Sequence, residues 1–304
     1  MTPFPKLKGL IAAPFTPMNK DGSLNIAAVG PYAEKLVGQG IAGVFICGTT
    51  GEGFSMTPEE RKTVAEAWVK ASASRLKVIV HAGHNCREEA AGLAAHAQDC
   101  GACAIASIAP NFYKPGCVED LIGFFAPVAA AAQKLPFYYY NMPSMSGVSL
   151  PVDSFLHRGA ERIPNLQGVK FTHNNLMEMI QCLNLDGGRF EVLHGYDEIL
   201  LCGLALGVQA AVGSTYNYAG RVYAGLIKAF DSGNLEKARE YQSYCVEIVK
   251  VILKYGGGVR GGKAIMNLLG IPCGECRTPI NRFTAAEYEN LRKDLDAIDF
   301  FDKI

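Results

Sequence analysis

Between residues 7 and about 216 the chain alternates short apolar runs with longer amphipathic stretches eight times, and nothing else in it restricts the fold as strongly. Apolar runs rich in Val, Ile, Phe and Ala and bounded by turn residues predict strands buried on both faces, which pair in parallel beneath helices. The predicted strands cover 7–13, 41–47, 76–82, 103–108, 136–141, 166–170, 190–193 and 209–212. Helices are predicted over 24–39, from 57 onward, 87–101, 117–134, 151–160, 174–184 and 197–206. The second opens on Thr57-Pro58-Glu59-Glu60, an N-cap, a first-turn proline and a capping-box glutamate. Eight β/α units are the number that closes a parallel sheet into a (β/α)8 TIM barrel. An open doubly wound sheet is the alternative, disfavoured because no glycine fingerprint follows the first strand.

Past Tyr216 the strand pattern stops, and 219–230, 235–255, 262–269 and 284–298 read as helices. These are too many to be only the last barrel helix. The expected architecture is therefore an α/β protein, a (β/α)8 TIM barrel with a C-terminal helical extension. It is read as one domain over 1–304, with the barrel at approximately 7–232 and the extension at approximately 233–304, packed on the barrel and contributing to oligomerisation.

Composition narrows the function. The 29 basic and 29 acidic residues cancel, which disfavours a nucleic acid or an anionic membrane as partner and favours a small-molecule enzyme. Met1 to Lys8 lacks an apolar signal region, and no apolar run is long enough to span a bilayer; a cytoplasmic protein is expected. Ten cysteines, mostly within apolar segments such as Phe45-Ile46-Cys47 and Leu201-Cys202, read as buried free thiols rather than a disulfide framework.

In a barrel of this kind the site lies where the strands end. Those ends read Gly48-Thr49-Thr50-Gly51-Glu52, Pro110-Asn111-Phe112-Tyr113, Tyr140-Asn141-Met142-Pro143, Lys170-Phe171-Thr172, Gly195-Tyr196-Asp197-Glu198 and Gly213-Ser214-Thr215-Tyr216. Almost every one carries a hydroxyl or an ionisable group. Gly48 to Glu52 sets two hydroxyls between glycines, where backbone N–H groups can face an anion such as a carboxylate; it can equally be a plain turn. Asp197 and Glu198 can contact a ligand or simply favour a helix dipole. Phe137-Tyr138-Tyr139-Tyr140 alternates between barrel interior and helix layer, which leaves Tyr140 at the mouth. Gln167-Gly168-Val169-Lys170 ends an interior strand in a lysine. Apolar surroundings there would disfavour its charged form, so that part of it could be the nucleophilic amine. Such an amine condenses with ketones, so Lys170 points to Schiff-base chemistry on a 2-keto acid without a metal.

The set Gly48-Thr49-Thr50-Gly51-Glu52, Tyr140-Asn141-Met142-Pro143, Gly168-Val169-Lys170 and Gly213-Ser214-Thr215-Tyr216-Asn217 resembles the dihydrodipicolinate synthase and N-acetylneuraminate lyase superfamily over nearly the whole chain. Gly195-Tyr196-Asp197-Glu198 and Lys170-Phe171-Thr172 resemble its sialic acid lyase branch. Phe137-Tyr138-Tyr139-Tyr140 and Gly262-Lys263-Ala264-Ile265-Met266 resemble the animal-type members. The resemblance implies a class I aldolase that cleaves N-acetylneuraminate to N-acetylmannosamine and pyruvate, with no cofactor and no metal, as a homotetramer. It implies that Lys170 forms the imine, Tyr140 relays the proton and Thr49 is its hydroxyl partner. Thr50 would bind the pyruvate carboxylate, and Thr172, Gly195, Asp197, Glu198 and Ser214 the sugar hydroxyls. Tyr113, or its neighbour Phe112, would stand beside the catalytic tyrosine of an adjoining subunit. Dihydrodipicolinate synthases carry an arginine after the catalytic tyrosine, where this chain has Ser144-Met145-Ser146. A thioether cannot replace a guanidinium on a carboxylate, which disfavours that activity, although it and 2-keto-3-deoxy sugar acid cleavage remain the alternatives. A non-catalytic sugar-acid-binding barrel is the remote one.

Two further signals are set aside. Gly257 to Ala264 approaches a phosphate-binding loop, but Ala264 stands where Ser or Thr should bind magnesium and no strand precedes it. Cys100 with Cys103 and Cys273 with Cys276 have zinc-like spacing, but the first pair straddles a turn inside a barrel unit. His81 and His194 end apolar runs and are read as hydrogen-bonded packing, facing the barrel.

Overall fold

The computed structural model describes residues 4–304; Met1 to Pro3, which belong to the expected domain and N-terminal segment, lie outside the described residues. Eight parallel strands close on themselves in sequence order: β1 (Gly9–Ala12), β2 (Gly43–Ile46), β3 (Lys77–His81), β4 (Ala104–Ile108), β5 (Phe137–Asn141), β6 (Leu166–Phe171), β7 (Glu191–His194) and β8 (Ala210–Gly213). β1 pairs with β8 from Gly9 opposite Ala210 to Ala12 opposite Gly213, which completes the ring. The expected strands are all present. β2 stops at Ile46 because Cys47 takes a left-handed backbone, φ 57°. β6, β7 and β8 each run one residue beyond the predicted end.

Alternation along the strands sorts the side chains into two cores. Ile11, Phe45, Ile79, Ala104, Ala106, Tyr138, Tyr140, Leu193, Ala210 and Val212 fill the barrel, where the small residues of β4 leave room for the two tyrosines. Phe137, Tyr139, Val169 and Val192 face outward into the helix layer, a second core that also holds Trp68 and Phe125. Burying this much apolar surface is the main stabilising term, roughly 25 cal/mol per Å² removed from water. The floor of the barrel is polar: Glu191 accepts hydrogen bonds from Tyr138 Oη at 2.6 Å, Gln167 Nε2 at 2.8 Å and Leu7 N at 2.5 Å, which satisfies a carboxylate that would otherwise be buried alone.

Helices follow the strands on the outside. That over Pro58–Ser72 starts with the anticipated capping box between Thr57 and Glu60. The extension begins with Leu235–Lys254 and continues with Gly257–Leu268, Ala285–Asp296 and Phe300–Lys303. The glycine-rich stretch set aside as a phosphate loop is thus helical from Gly257, after a helix and not a strand, and its Lys263 is committed to Glu52 at 2.7 Å. All ten cysteines are free. Cys47, Cys182, Cys245, Cys273 and Cys276 are buried as expected, but Cys100 and Cys103 are half-buried and Cys86, Cys117 and Cys202 are exposed. Cys86 and Cys117 stand at helix N-caps, and on Leu200–Ala205 the buried face is Leu200 and Gly203, three apart, which turns Cys202 to solvent. Among the described residues no cluster of His, Cys, Asp or Glu could hold a metal. Nor, among the described residues, is any helix long and apolar enough to cross a membrane.

Candidate active site at the mouth of the barrel

Five of the six strand ends named above converge on one cavity of about 350 Å³, and Pro110 to Tyr113 after β4 is the one that does not reach it. Every predicted site residue except Tyr113 lines it: Thr49, Thr50, Tyr140, Lys170, Thr172, Gly195, Asp197, Glu198 and Ser214.

Lys170 lies on the inward side of β6, level with Tyr140 of β5 and Leu193 of β7. It is buried, and its Nζ stands 3.8 Å from the ring centre of Tyr140 and 4.2 Å from that of Phe45. Among the described residues no carboxylate pairs with it. An amine seated on aromatic faces, free of a counter-ion and open to the cavity, is arranged to attack a carbonyl.

Tyr140 presents its hydroxyl to Thr49 Oγ1 at 3.3 Å and to Met142 Sδ at 2.9 Å. Its ring is fixed from the side by His81, edge-on at 5.8 Å, and by Phe45 at 5.5 Å. His81 is itself pinned. Its Nδ1 lies 3.0 Å from the carbonyl of Cys47 and its Nε2 accepts the N–H of Ile108 at 3.3 Å, a pattern that selects the neutral ring with the proton on Nδ1. Burial, reinforced by the nearby Arg61 charge, pushes its pKa well below the usual value. The hydrogen-bonded, inward reading of His81 holds. That of His194 does not: it follows the inward Leu193, so its ring faces Gly203 in the helix layer, with neither nitrogen hydrogen-bonded among the described residues. Burial pushes it down to about 4.

The loop after β2 is held from both sides. Cys47 and Glu52 both adopt left-handed backbone, φ 57° and 54°, a strain worth about 1 kcal/mol or more for a non-glycine residue. The turn closes with Glu52 N donating to Thr49 O at 3.1 Å and Gly53 N to Gly48 O at 3.0 Å. Among the described residues the N–H groups of Thr49 and Thr50 have no protein acceptor, which leaves two amides for an anion. Below the loop, buried Arg61 donates to the carbonyls of Gly83 at 2.9 Å and His81 at 2.5 Å.

Opposite, Asp197 is buried in the first turn after β7, so it is no solvated helix-start acid. Its Oδ2 accepts from Thr215 N at 2.9 Å and Thr215 Oγ1 at 2.6 Å, while Oδ1 is buried without a partner among the described residues, as is Thr172 Oγ1. Each of these two oxygens sits against a glycine. A Cβ at Gly213 would run into the Asp197 carboxylate, and one at Gly195 into the Thr172 hydroxyl. Gly195 therefore makes room for a polar neighbour.

Tyr113 is 87% exposed, stacked edge-on with Phe112 at 5.0 Å, and does not line its own chain's cavity. Sequence reasoning missed a whole wall. Val249, Ile252, Leu253, Gly258 and Val259 close the cavity from the C-terminal helices. Apolar residues on a helix carry no signal that distinguishes a cavity wall from core. Met142, Tyr196 and Thr215 also line it, and their only signal was membership of the strand-end motifs.

Residues 6–298 match the model of the dihydrodipicolinate synthetase family. The chain is 43% identical over 284 residues to the N-acetylneuraminate lyase of Gallus gallus, covering 92% of each protein. It is 42% identical over 302 residues to that of Mus musculus, covering 98% of this chain and 94% of the mouse protein. The solved N-acetylneuraminate lyase of Proteus mirabilis superposes with a TM-score of 0.94 at 40% identity, covering 97% of this chain and 100% of that one.

Proposed function

The chain belongs to the dihydrodipicolinate synthetase family, and on that premise we propose that it is a class I aldolase which cleaves N-acetylneuraminate reversibly to N-acetylmannosamine and pyruvate in sialic acid catabolism. The observation that carries this reading is the unpaired Lys170 amine on the rings of Tyr140 and Phe45, inside a cavity lined with hydroxyls and carboxylates. Relatives of similar length and fold are lyases of this substrate.

The Lys170 amine adds to the C2 ketone of the open-chain sugar acid and expels water to form the protonated imine. Thr50, with the free amides of Thr49 and Thr50, holds the C1 carboxylate. Tyr140, in concert with Thr49 at 3.3 Å or through the substrate carboxylate, takes the proton of the C4 hydroxyl. The C3–C4 bond then breaks and its electrons run into the imine, which leaves an enamine and releases N-acetylmannosamine. Protonation at C3 and hydrolysis return pyruvate and the free amine. Thr172, Asp197, Glu198 and Ser214 receive the sugar hydroxyls, with Gly195 keeping space for Thr172. The imine supplies the electron sink that a divalent ion supplies in the other aldolase type, so neither metal nor cofactor is invoked. We place the enzyme in the cytoplasm as a homotetramer of single-domain chains, in which Tyr113 or Phe112 reaches a neighbour's Tyr140.

Pyruvate release from N-acetylneuraminate in the presence of EDTA tests the substrate, and borohydride trapping of pyruvate tests the amine. Release is expected with EDTA, the trapped adduct is expected on Lys170, and Lys170→Ala should lose at least roughly a thousandfold in kcat. Wild-type turnover by Lys170→Ala would end the imine mechanism.

A further inference from the structure

Resting on the lyase reading, we propose that Thr215 is a positioning residue that holds Asp197 with one carboxylate oxygen facing the sugar hydroxyls. Thr215 gives both its backbone N–H and its hydroxyl to the same oxygen, Oδ2, at 2.9 and 2.6 Å. A carboxylate gripped twice at one oxygen cannot rotate without breaking both bonds, so Oδ1 is the oxygen left for a ligand. Oδ1 is buried and unpartnered among the described residues, and Asp197 lines the cavity. Gly213, directly before Ser214 and Thr215, supplies the space in which the carboxylate lies. The main chain of the turn is anchored separately. Gln242 Nε2 donates to Asp197 O at 3.3 Å, and Leu201 N donates to Gln242 Oε1 at 2.8 Å. Backbone placement and carboxylate orientation are thus set by different residues, and Thr215 controls the second.

An unsatisfied acceptor at Oδ1 binds a hydroxyl best when the carboxyl is ionised. Burial pushes Asp197 up to about 6, opposed first by the two Thr215 hydrogen bonds. The other titratable groups facing it are Glu198 on its own turn, Lys170 on β6, Tyr216, Tyr218 and Tyr223 on the helix Tyr216–Asp231, and Cys245 on Leu235–Lys254. Removing the Thr215 hydroxyl disfavours the ionised form and moves the titration to higher pH.

The test compares Thr215→Val, which keeps the shape and loses the hydroxyl, with Thr215→Ser, which keeps the hydroxyl. For Thr215→Val we expect KM for N-acetylneuraminate to rise about tenfold, as for loss of one charge-assisted hydrogen bond. Its kcat should stay within about threefold, and the acid limb of kcat/KM should move to higher pH. Borohydride trapping of pyruvate, which has no sugar hydroxyls to place, should proceed at the wild-type rate. Thr215→Ser should restore KM and the acid limb. In the ligand-free protein, carbon-13 NMR of the Asp197 carboxyl should show the same displacement in Thr215→Val. An unmoved KM and acid limb would overturn the proposal. So would an equal loss in Thr215→Ser, or slowed pyruvate trapping, which would mark Thr215 as a general support of the fold. If wild-type protein releases no pyruvate, the lyase reading fails, and the ligand-free titration still decides whether Thr215 governs Asp197.

Discussion

Asp197 carries a conflict between binding and stability that pH should expose. Burial raises its carboxyl from the ordinary 3.8 to about 6, so the folded state prefers the protonated acid while the unfolded chain ionises freely above about pH 4. An acid with a raised folded-state pKa therefore destabilises the fold as pH climbs from about 4 through 6, by up to roughly 3 kcal/mol at neutrality. Asp197→Asn should melt above the wild type at pH 7.5, with the gap closing below about pH 4, and should bind the sugar acid less well. Thermal melts across that range check this, and a gap indifferent to pH would remove burial as the cause. At this scale the sequence was legible wherever a residue's position along a strand fixed its direction. Tyr138 and Tyr140 face inward with Phe137 and Tyr139 outward, and Lys170 stands at the mouth. His194 was misread because its strand extends to include it one step beyond the inward Leu193, and one step reverses the face. Nothing in the spelling of Asp197 distinguished a solvated helix-start acid from a buried one; the deciding partner, Thr215, is 18 residues away.

Elements were the most readable level because each strand had to be apolar on both faces and each helix on one. The differences have local causes. The sequence pattern predicts a helix over 219–230, whereas the helix spans Tyr216–Asp231 with a break in helical geometry at Ala219, φ −114°, which separates its first turn from the periodic run. Gly257–Leu268 contains four glycines before its apolar run and still forms, because Lys263 inside it is drawn into the interior by Glu52 and tertiary contact overrides propensity. That ion pair, with both side chains 1% exposed, joins the loop after β2 to the extension. Arg277 N donates to the other Glu52 oxygen at 2.8 Å. Lys263→Met should cost about 3–5 kcal/mol by stranding a buried carboxylate, and adding Glu52→Gln should recover much of it. Urea midpoints measure both, and a wild-type midpoint for Lys263→Met alone would mean that water reaches Glu52.

For the whole molecule, assembly is the property least visible in one chain. Phe112 and Tyr113 are 76% and 87% exposed, side by side in the segment between β4 and the helix Val118–Ala130. Two large rings in water favour cover by another surface, which agrees with the proposed tetramer. Light scattering behind size exclusion should return four times the 32.7 kDa chain mass, and a monomeric active enzyme would refute the shared aromatic. A second consequence follows from where the cavity wall comes from. All eight strands have been made once residue 213 leaves the ribosome, yet the wall at Val249, Ile252 and Val259 and the cation for Glu52 at Lys263 come later. During synthesis, which proceeds from the N-terminus, the strand that bears the proposed Schiff-base lysine is thus made before the residues that complete the chamber around it. On the proposed mechanism, catalytic competence therefore waits for the C-terminal helices, which shut the last side of the room.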